Sequence, residues 1–260
     1  MTQSQLSLFT FSNSPDTSKY INSTEGVQPF SSQLLKWVGN KQRFAYKIIS
    51  FFPQRFGTYF EPFLGSGGVL ATLSPRKAIA SDSFVWLIEI FKTLQNNPEL
   101  LGEWYRDRWN QFQNGNQKAV YETIKSSYNK SPNAADLLFI SRTCYGGVVR
   151  FRKDGYISTP IGPHNPISPE TFDRKVKEWH HRVKSTTFHC LDYEEAMSLA
   201  QPGDVVYCDP PYSDSQQILY GAQNFFLENL LGVIDKCKQR GVYVILSIDG
   251  TKKSGNKICN

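Results

Sequence analysis

From Leu34 onward, short apolar runs alternate with amphipathic stretches, a pattern that predicts an α/β fold. The runs have the length of buried strands and are bounded by turn residues. The predicted strands cover residues 58–60, 78–80, 186–191, 204–208 and 242–248. Helical periodicity predicts helices over residues 69–73, 84–94, 193–200 and 225–239.

A long insertion separates the second predicted strand from the third. Residues 98–183 are mostly helical in pattern and contain no good strand, and residues 146–169 are rich in Gly, Pro and basic side chains. We therefore expect one catalytic α/β domain, formed by residues 33–97 and 184–260, to carry an inserted recognition region over 98–183. Residues 1–32 are rich in Ser, Thr, Gln and Asn and predict a flexible polar tail.

Composition narrows the functional classes. The formal net charge is +6 and the sequence pI about 9.0, which favours a polyanionic partner. The five cysteines are scattered and form no Cys-x-x-Cys pair, so we expect neither a disulfide framework nor a metal site, and a cytoplasmic location. The sequence predicts no membrane span and no signal peptide.

The stretch Asp209-Pro210-Pro211-Tyr212 follows the apolar run Val205-Val206-Tyr207. Two prolines remove backbone donors and stiffen the chain. What remains is one carboxylate and rigid carbonyl acceptors beside an aromatic face. This combination suits a planar substrate with an exocyclic amino group, such as a nucleobase.

A glycine-rich turn, Gly65-Ser66-Gly67-Gly68, follows the first predicted strand and opens a helix. Alone it is more typical of a tight strand-to-helix turn. Asp82 ends the next strand, where a carboxylate can accept bonds from ribose hydroxyls, although a helix cap is its alternative role. The turn lacks basic phosphate-binding residues, which favours a nucleoside cofactor without phosphates. Trp37 and Lys41 could hold a sulfonium and a carboxylate, respectively.

Four motifs together resemble one family. Lys36-Trp37-Val38-Gly39-Asn40-Lys41, Glu61-Pro62-Phe63-Leu64-Gly65-Ser66-Gly67, Asp82 and Asp209-Pro210-Pro211-Tyr212 occur in the order found in the Dam-type, alpha-class DNA adenine-N6 methyltransferases. The resemblance implies a Rossmann-like methyltransferase sheet, S-adenosylmethionine as cofactor, and methyl transfer to adenine N6 in duplex DNA.

The resemblance also implies roles for individual residues. Asp209 and the Pro210 carbonyl would accept the N6 hydrogens, with Pro211 in the same rigid turn, and Tyr212 would stack on the flipped-out adenine. Asp192 matches an acid near the cofactor's adenine, with a helix N-cap as its alternative role. The residues matched to cofactor binding are Trp37, Lys41, Phe63, Gly65, Gly67, Asp82, Asp192 and Asp209.

Basic residues in the insertion match the family's recognition hairpin. The pattern Arg142, Tyr145, Gly147, Arg150, Gly155, Pro160, Gly162 carries this resemblance. It implies a base contact by Arg150, phosphate contacts by Arg152 and Lys153, and DNA binding by Arg142. A solvated basic loop is the alternative for each residue taken singly.

Three functional alternatives remain open from the sequence. Cytosine N4 also presents an exocyclic amine, so a cytosine-N4 methyltransferase is one. A DNA- or cofactor-binding remnant without turnover is another, because the family adds a C-terminal strand pair and residues 251–260 predict no strand. RNA is a third, less favoured substrate. We expect a monomer that is the modification enzyme of a restriction-modification system. We do not expect it to bind the restriction endonuclease of that system stably.

Overall fold

The computed structural model describes residues 20–211 and 225–247, with the backbone of 253–254 and 257–258. The strands are β1 (Asn22–Ser23), β2 (Arg55–Phe56), β3 (Tyr59–Glu61), β4 (Ala78–Ser81), β5 (Thr186–His189), β6 (Val205–Cys208), β7 (Tyr243–Leu246), β8 (Lys253–Ser254) and β9 (Lys257–Ile258). The helices are α1 (Ala45–Ile49), α2 (Gly68–Leu73), α3 (Val85–Asn96), α4 (Pro98–Asn114), α5 (Gln117–Lys130), α6 (Ala134–Thr143), α7 (Pro169–Val183), α8 (Tyr193–Ser198) and α9 (Leu227–Gln239).

A five-stranded parallel sheet in the order β5-β4-β3-β6-β7 forms the centre of the fold. The chain builds outward from β3 to β5 and then returns to place β6 on the other side of β3. A crevice opens outside the carboxyl ends of the strands where the order reverses, and parallel α/β sheets bind ligands there. The predicted Rossmann-like α/β class is therefore confirmed.

Apolar residues explain why these strands are central. All four residues of β6 are buried, as are all three of β3. Strands covered by helices on both faces require continuous apolar runs, and Val205-Val206-Tyr207 supplies one. The five predicted sheet strands are present, with ends that differ by one to a few residues.

The inserted helices share their core with the sheet. Side chains of α4, α6 and α7 belong to the same buried cluster as Tyr59 and Val205. Within it, the rings of Tyr105 and Phe172 stack with centroids 4.1 Å apart. Residues 98–183 contain no named strand, as predicted, and only two isolated antiparallel bridges. This shared core fixes the insertion against the catalytic part.

Residues 20–32 do not follow the prediction of a flexible tail. Asn22 is buried, pairs with Phe56 between β1 and β2, and donates from its amide to the carbonyl of Lys77 at 2.8 Å. Its Oδ1 accepts from the amide of Arg76 at 2.7 Å. These partners lie more than 50 residues away, so a local polar pattern could not reveal them. Residues 1–19 of the predicted tail lie outside the described residues.

Two short strands follow residue 250, where the sequence predicts none, and the absence of the family's C-terminal strand pair stays a prediction. β8 and β9 pair antiparallel, in a small sheet of their own. Gly255-Asn256 stands between them, a dipeptide typical of two-residue hairpin turns. Among the described helices, none is long and apolar enough to cross a membrane.

Candidate active site

A cleft of about 420 Å³ lies at the carboxyl edge of the sheet, where β3, β4 and β6 end. Residues from four separate segments line it: 38–41, 61–66 with 68–69, 82–84, and 207 with 209–211, together with Asp192, Tyr193 and Phe225. Three of these segments follow central strands directly. Parallel strands thus bring the sequence motifs to one edge.

The glycine turn is held by Asp82. Gly65 and Gly67 have φ values of +46° and +65°, a backbone region that side chains with a Cβ adopt at a cost. Asp82 Oδ2 accepts from the Gly65 amide at 3.1 Å, and Oδ1 accepts from the Phe84 amide at 3.0 Å. Burial raises the pKa of Asp82, while these amide bonds oppose the rise. The amide of Ser83 also bonds to this carboxylate, which offers about four acceptor positions and so keeps room for a further donor.

Lys41 lies beside Asp209. Its Nζ is 2.8 Å from Asp209 Oδ1, and both side chains are largely shielded from solvent. Pro210 and Pro211 line the cleft next to this pair. The structure therefore brings together Lys41 from the first motif and three members of the last one. Tyr212, the fourth member, lies outside the described residues.

Glu61 was not among the predicted site residues. It ends β3, lines the cleft and is only 3% exposed, and the Tyr59 hydroxyl donates to its Oε2 at 2.8 Å. Burial raises the pKa of Glu61 to about 8, and the charge of Asp209 acts in the same direction. Nearby, the hydroxyl groups of Tyr207 and Ser247 form a hydrogen bond of 3.0 Å. An acid that ends an apolar strand beside a glycine turn was the available sequence signal.

Two predicted cofactor residues lie behind the cleft wall. Trp37 is 8% exposed, stacks on Phe84 with centroids 6.3 Å apart, and approaches Gly65. Gly67 is the N-cap of α2 and faces Phe91. Neither is among the described residues that line the cleft. Both pack close to the turn, and their roles in cofactor binding stay predictions.

Three aromatic rings form one end of the cleft. Phe63 and Tyr193 stack with centroids 5.3 Å apart, and the Phe225 ring stands edge-on to both. Tyr193 and Phe225 were missed, since single aromatics in an apolar pattern look like core residues. Asp192 caps α8 through a full capping box and also lines the cleft, so its two predicted roles are compatible.

The hairpin of residues 144–161, which was predicted to contact DNA and is called the recognition hairpin below, alternates buried and exposed residues. Phe151 and Ile157 are buried and bridge the two arms, whereas Arg150, Arg152 and Lys153 are exposed. Phe151 packs edge-on against Phe84, a residue of the cleft, with centroids 5.3 Å apart. The exposed basic face is thereby fixed close to the cleft. Arg152 also pairs with Asp154 at 2.7 Å.

Arg142 does not belong to this exposed face, which corrects its predicted role. It is 7% exposed, and its Nη1 donates to the carbonyls of Leu34 and Gln33 at 2.6 and 3.2 Å. Its guanidinium also lies over the Phe172 ring. A side chain used in this way joins α6 to the segment before the first motif.

The switch-point crevice, the glycine turn and the acid after β4 define a Rossmann-like methyltransferase fold. Residues 37–258 match the family model MethyltransfD12, described as D12 class N6 adenine-specific DNA methyltransferase. The chain belongs to this family, and it is an adenine-specific DNA methyltransferase. The predicted family, enzyme class and target base are confirmed.

Individual proteins with similar sequences support the same conclusion. Type II methyltransferase M1.LlaDCHI of Lactococcus lactis subsp. cremoris is 28% identical over 239 residues, 85% of this chain and 81% of the relative. Retron Ec67 DNA adenine methylase of Escherichia coli is 31% identical over 188 residues, 70% of this chain and 64% of the relative. A DNA adenine methylase of Vibrio cholerae is 28% identical over 226 residues, 82% of this chain and 79% of the relative.

Proposed function

We propose that this enzyme transfers the methyl group of S-adenosylmethionine to adenine N6 at a specific site in duplex DNA. The observation that carries the proposal is the convergence of Lys41, Asp82 and Asp209 around one cleft at the sheet's switch point. Along this cleft, Lys41 would bind the carboxylate of the cofactor, Asp82 its ribose, and Asp209 the amino group of the target base.

The residues present fit S-adenosylmethionine. Asp82 has lone pairs for the ribose hydroxyls, Lys41 offers a cation for the carboxylate, and the rings of Phe63 and Tyr193 offer apolar faces for the adenine. Asp192 stands at the same end of the cleft for the adenine amino group. Gly65 lets the backbone approach the methionine part. When bound, this cofactor supplies an electrophilic methyl group on a sulfonium.

Asp209 and Pro210 carry the acceptor half of the reaction. Adenine N6 is a poor nucleophile because its lone pair is delocalised into the ring. Carboxylate and carbonyl oxygens that accept both N6 hydrogens favour a tetrahedral nitrogen, and they stabilise the positive charge that develops there. The stiffness of Pro210-Pro211 fixes these acceptors in line with the methyl group. Tyr212 would complete this site by stacking on the adenine.

The recognition hairpin supplies the DNA contacts in this proposal. Arg150 is exposed on the hairpin face fixed by Phe151 and would contact a base edge, while Arg152 and Lys153 would contact phosphates. The region 98–183 would then be the target-recognition region. Arg142 has no part in it.

A role in restriction is the finer part of the proposal. Two similar proteins are named Type II methyltransferases, M1.LlaDCHI and M.MjaIII of Methanocaldococcus jannaschii. We infer that this enzyme protects DNA from an endonuclease of the same system, acting as a monomer without binding it stably. Sequencing that detects N6-methyladenine in expressing cells would give the site. We expect an endonuclease encoded nearby to cut unmethylated DNA at that site and to leave the methylated site uncut.

Labelled methyl transfer tests the central proposal. Unmethylated duplex DNA is incubated with methyl-labelled S-adenosylmethionine, and the digested nucleosides are separated. We expect label in N6-methyl-2′-deoxyadenosine for the wild type, none for Asp209→Ala, and normal labelling for Asp235→Ala, an exposed acid on α9. Tyr212→Phe should keep most activity because stacking remains. Label in N4-methylcytosine, or normal labelling by Asp209→Ala, would refute the assignment.

A further inference from the structure

A second cavity, larger than the cleft, lies at the opposite edge of the sheet. It encloses about 580 Å³, and its walls are residues 20–23, 25–28 and 72–76 together with Arg55 and Arg182. Residues 72–76 lead into β4, and Arg182 comes just before β5. The cavity therefore opens at the amino edge of the parallel strands, whereas the cleft opens at their carboxyl edge. Methyl transfer gives this cavity no role.

Three arginines line the cavity, and each comes a few residues before a strand of the sheet: Arg55 before β3, Arg76 before β4 and Arg182 before β5. Because parallel strands begin at the same edge, the topology gathers these side chains there. Glu25 is the only acid among the described residues that line the cavity. Within the described part of the chain, none of the three arginines forms an ion pair. The guanidinium fork matches the oxygens of a phosphate group.

One wall of the cavity comes from a segment outside the family match. That match begins at residue 37, whereas the wall is formed by residues 20–28 without Thr24. In this segment Ser23 pairs with Arg55 between β1 and β2, and Asn22 Oδ1 accepts from the Arg76 amide at 2.7 Å. These contacts hold the backbone of two of the three arginines against the wall.

Arg182 is oriented by the protein itself. Its Nη1 donates to the Ala71 carbonyl at 2.9 Å, and its guanidinium lies 3.9 Å from the centre of the Phe30 ring. The guanidinium has five N–H donors, so others remain for a ligand. Burial lowers the pKa of Arg182, and the charge of Glu178 opposes this effect. An anion in the cavity would stabilise the charged guanidinium in the same way.

The basic surface extends beyond the cavity. Lys77 and Lys184 are exposed, and they lie close together because β4 and β5 pair from Ala78 and Thr186 onward. Duplex DNA carries one negative charge per ~1.7 Å of its axis. A row of cations along an edge therefore suits this polymer better than a single phosphate ion.

We propose that Arg55, Arg76, Lys77, Arg182 and Lys184 form a second DNA-binding site, the amino-edge site, which holds the backbone of another DNA segment while the cleft holds the first. This goes beyond the proposed function and requires neither the cofactor nor the target base. The two sites lie at opposite edges of the same strands, so one straight duplex cannot fill both. An enzyme that engages a new segment before it releases the old one passes directly between them.

A chase experiment measures such transfer. The enzyme is loaded with a fluorescent duplex and mixed with increasing concentrations of unlabelled duplex. For the wild type, we expect the dissociation rate of the labelled duplex to rise with the competitor concentration, by roughly threefold or more. For Arg55→Ala/Arg76→Ala, the rate should stay nearly constant. Lys92→Ala/Arg174→Ala loses the same charge from exposed positions elsewhere and should follow the wild type.

Two further measurements complete the test. Single-turnover methyl transfer to one short duplex should be equal for the wild type and Arg55→Ala/Arg76→Ala, because the cleft is intact in both. Mass photometry of the wild type should find one protein with two duplexes. Absence of methyl transfer from the wild type with normal DNA exchange would count against the proposed function alone.

Several outcomes would overturn the amino-edge site. These are a wild-type dissociation rate independent of the competitor, an equal rise of the rate for Arg55→Ala/Arg76→Ala, or two proteins in every complex that holds two duplexes. Binding of ATP to the wild type but not to Arg55→Ala/Arg76→Ala, without any effect of competitor DNA, would assign the cavity to free nucleotides instead.

Discussion

Lys41 Nζ lies 2.8 Å from Asp209 Oδ1, which joins the first sequence motif to the last although the two residues are 168 positions apart in the chain. The pair brings a cation suited to the cofactor's carboxylate against the acid proposed to accept the N6 hydrogens. Cofactor binding and the acceptor site therefore share one electrostatic environment. Changing either residue should affect both.

Replacing Lys41 should weaken cofactor binding. Lys41→Ala removes a charge-assisted bond to the carboxylate, so we expect the dissociation constant for S-adenosylmethionine to rise roughly 10- to 100-fold in fluorescence or calorimetric titrations. The dissociation constant of Lys41→Arg should lie between those of the wild type and Lys41→Ala, because arginine keeps the charge but changes the geometry of the contact. Lys92→Ala, on the exposed face of α3, serves as the control. An unchanged dissociation constant for Lys41→Ala would count against the role.

Arg150 should carry site preference. Arg150→Ala is expected to lose roughly 1–3 kcal/mol of discrimination at one base pair, because a bidentate base contact disappears. Competition between cognate and single-substituted duplexes measures this loss at fixed salt. Arg174→Ala, an exposed arginine on α7, should retain both affinity and preference. If Arg150→Ala retains them too, the hairpin is a solvated basic loop.

Arg142 should affect stability, not DNA binding. Arg142→Ala leaves the buried carbonyls of Leu34 and Gln33 without their donor, at a cost of roughly 2–4 kcal/mol in the free energy of unfolding. Denaturant titration checks this. Arg150→Ala should change the same quantity by less than about 0.5 kcal/mol. Equal stability of the two variants would contradict the structural role.

Gly67 and Gly232 make a matched pair. A Cβ on Gly67 would stand 3.2 Å from Phe91 Cζ at a φ of +65°, so Gly67→Ala should cost roughly 1–3 kcal/mol of stability. Gly232 lies exposed within α9 with nothing near its Cβ position, so Gly232→Ala should add roughly 0.5–1 kcal/mol. Thermal unfolding of both variants gives the comparison. A stable Gly67→Ala protein would show that the turn tolerates a side chain.

Glu61 should make stability fall as pH rises. Its pKa is about 8 in the folded protein and 4.5 ordinarily, so the folded state holds a proton that the unfolded chain releases between these values. Unfolding therefore becomes easier across this window as pH increases. Glu61→Gln should flatten this part of the profile in denaturant titrations between pH 5 and pH 8. Parallel profiles for variant and wild type would contradict the shifted pKa.

Local patterns determined most of the fold. The apolar runs at β3, β4 and β6 are short and bounded by turn residues, so their strands could be predicted with only small errors at the ends. The order of motifs identified the family and the edge of the sheet where they meet. Arg150 could be assigned to an exposed loop because Gly, Pro and basic residues surround it.

Long-range contacts were beyond such patterns. Asn22 lies in a polar stretch that resembles a tail, yet its side chain bonds to the backbone of Arg76 and Lys77, more than 50 positions away. Arg142 resembled its basic neighbours, although α6 turns it inward toward Leu34. Trp37 packs against Phe84 and the glycine turn, and its contact with the cofactor stays a prediction. The same residue type serves either purpose, and only its burial decides which.

The sequence by itself determined the enzyme family, the parallel sheet and the acids that end its strands, because these depend on residue type and order along the chain. Only the tertiary structure decided which side chains face the cleft. It set Lys41 against Asp209 and buried Glu61 beside them, since burial and the distance between charges control pKa and arise only when separate strands meet.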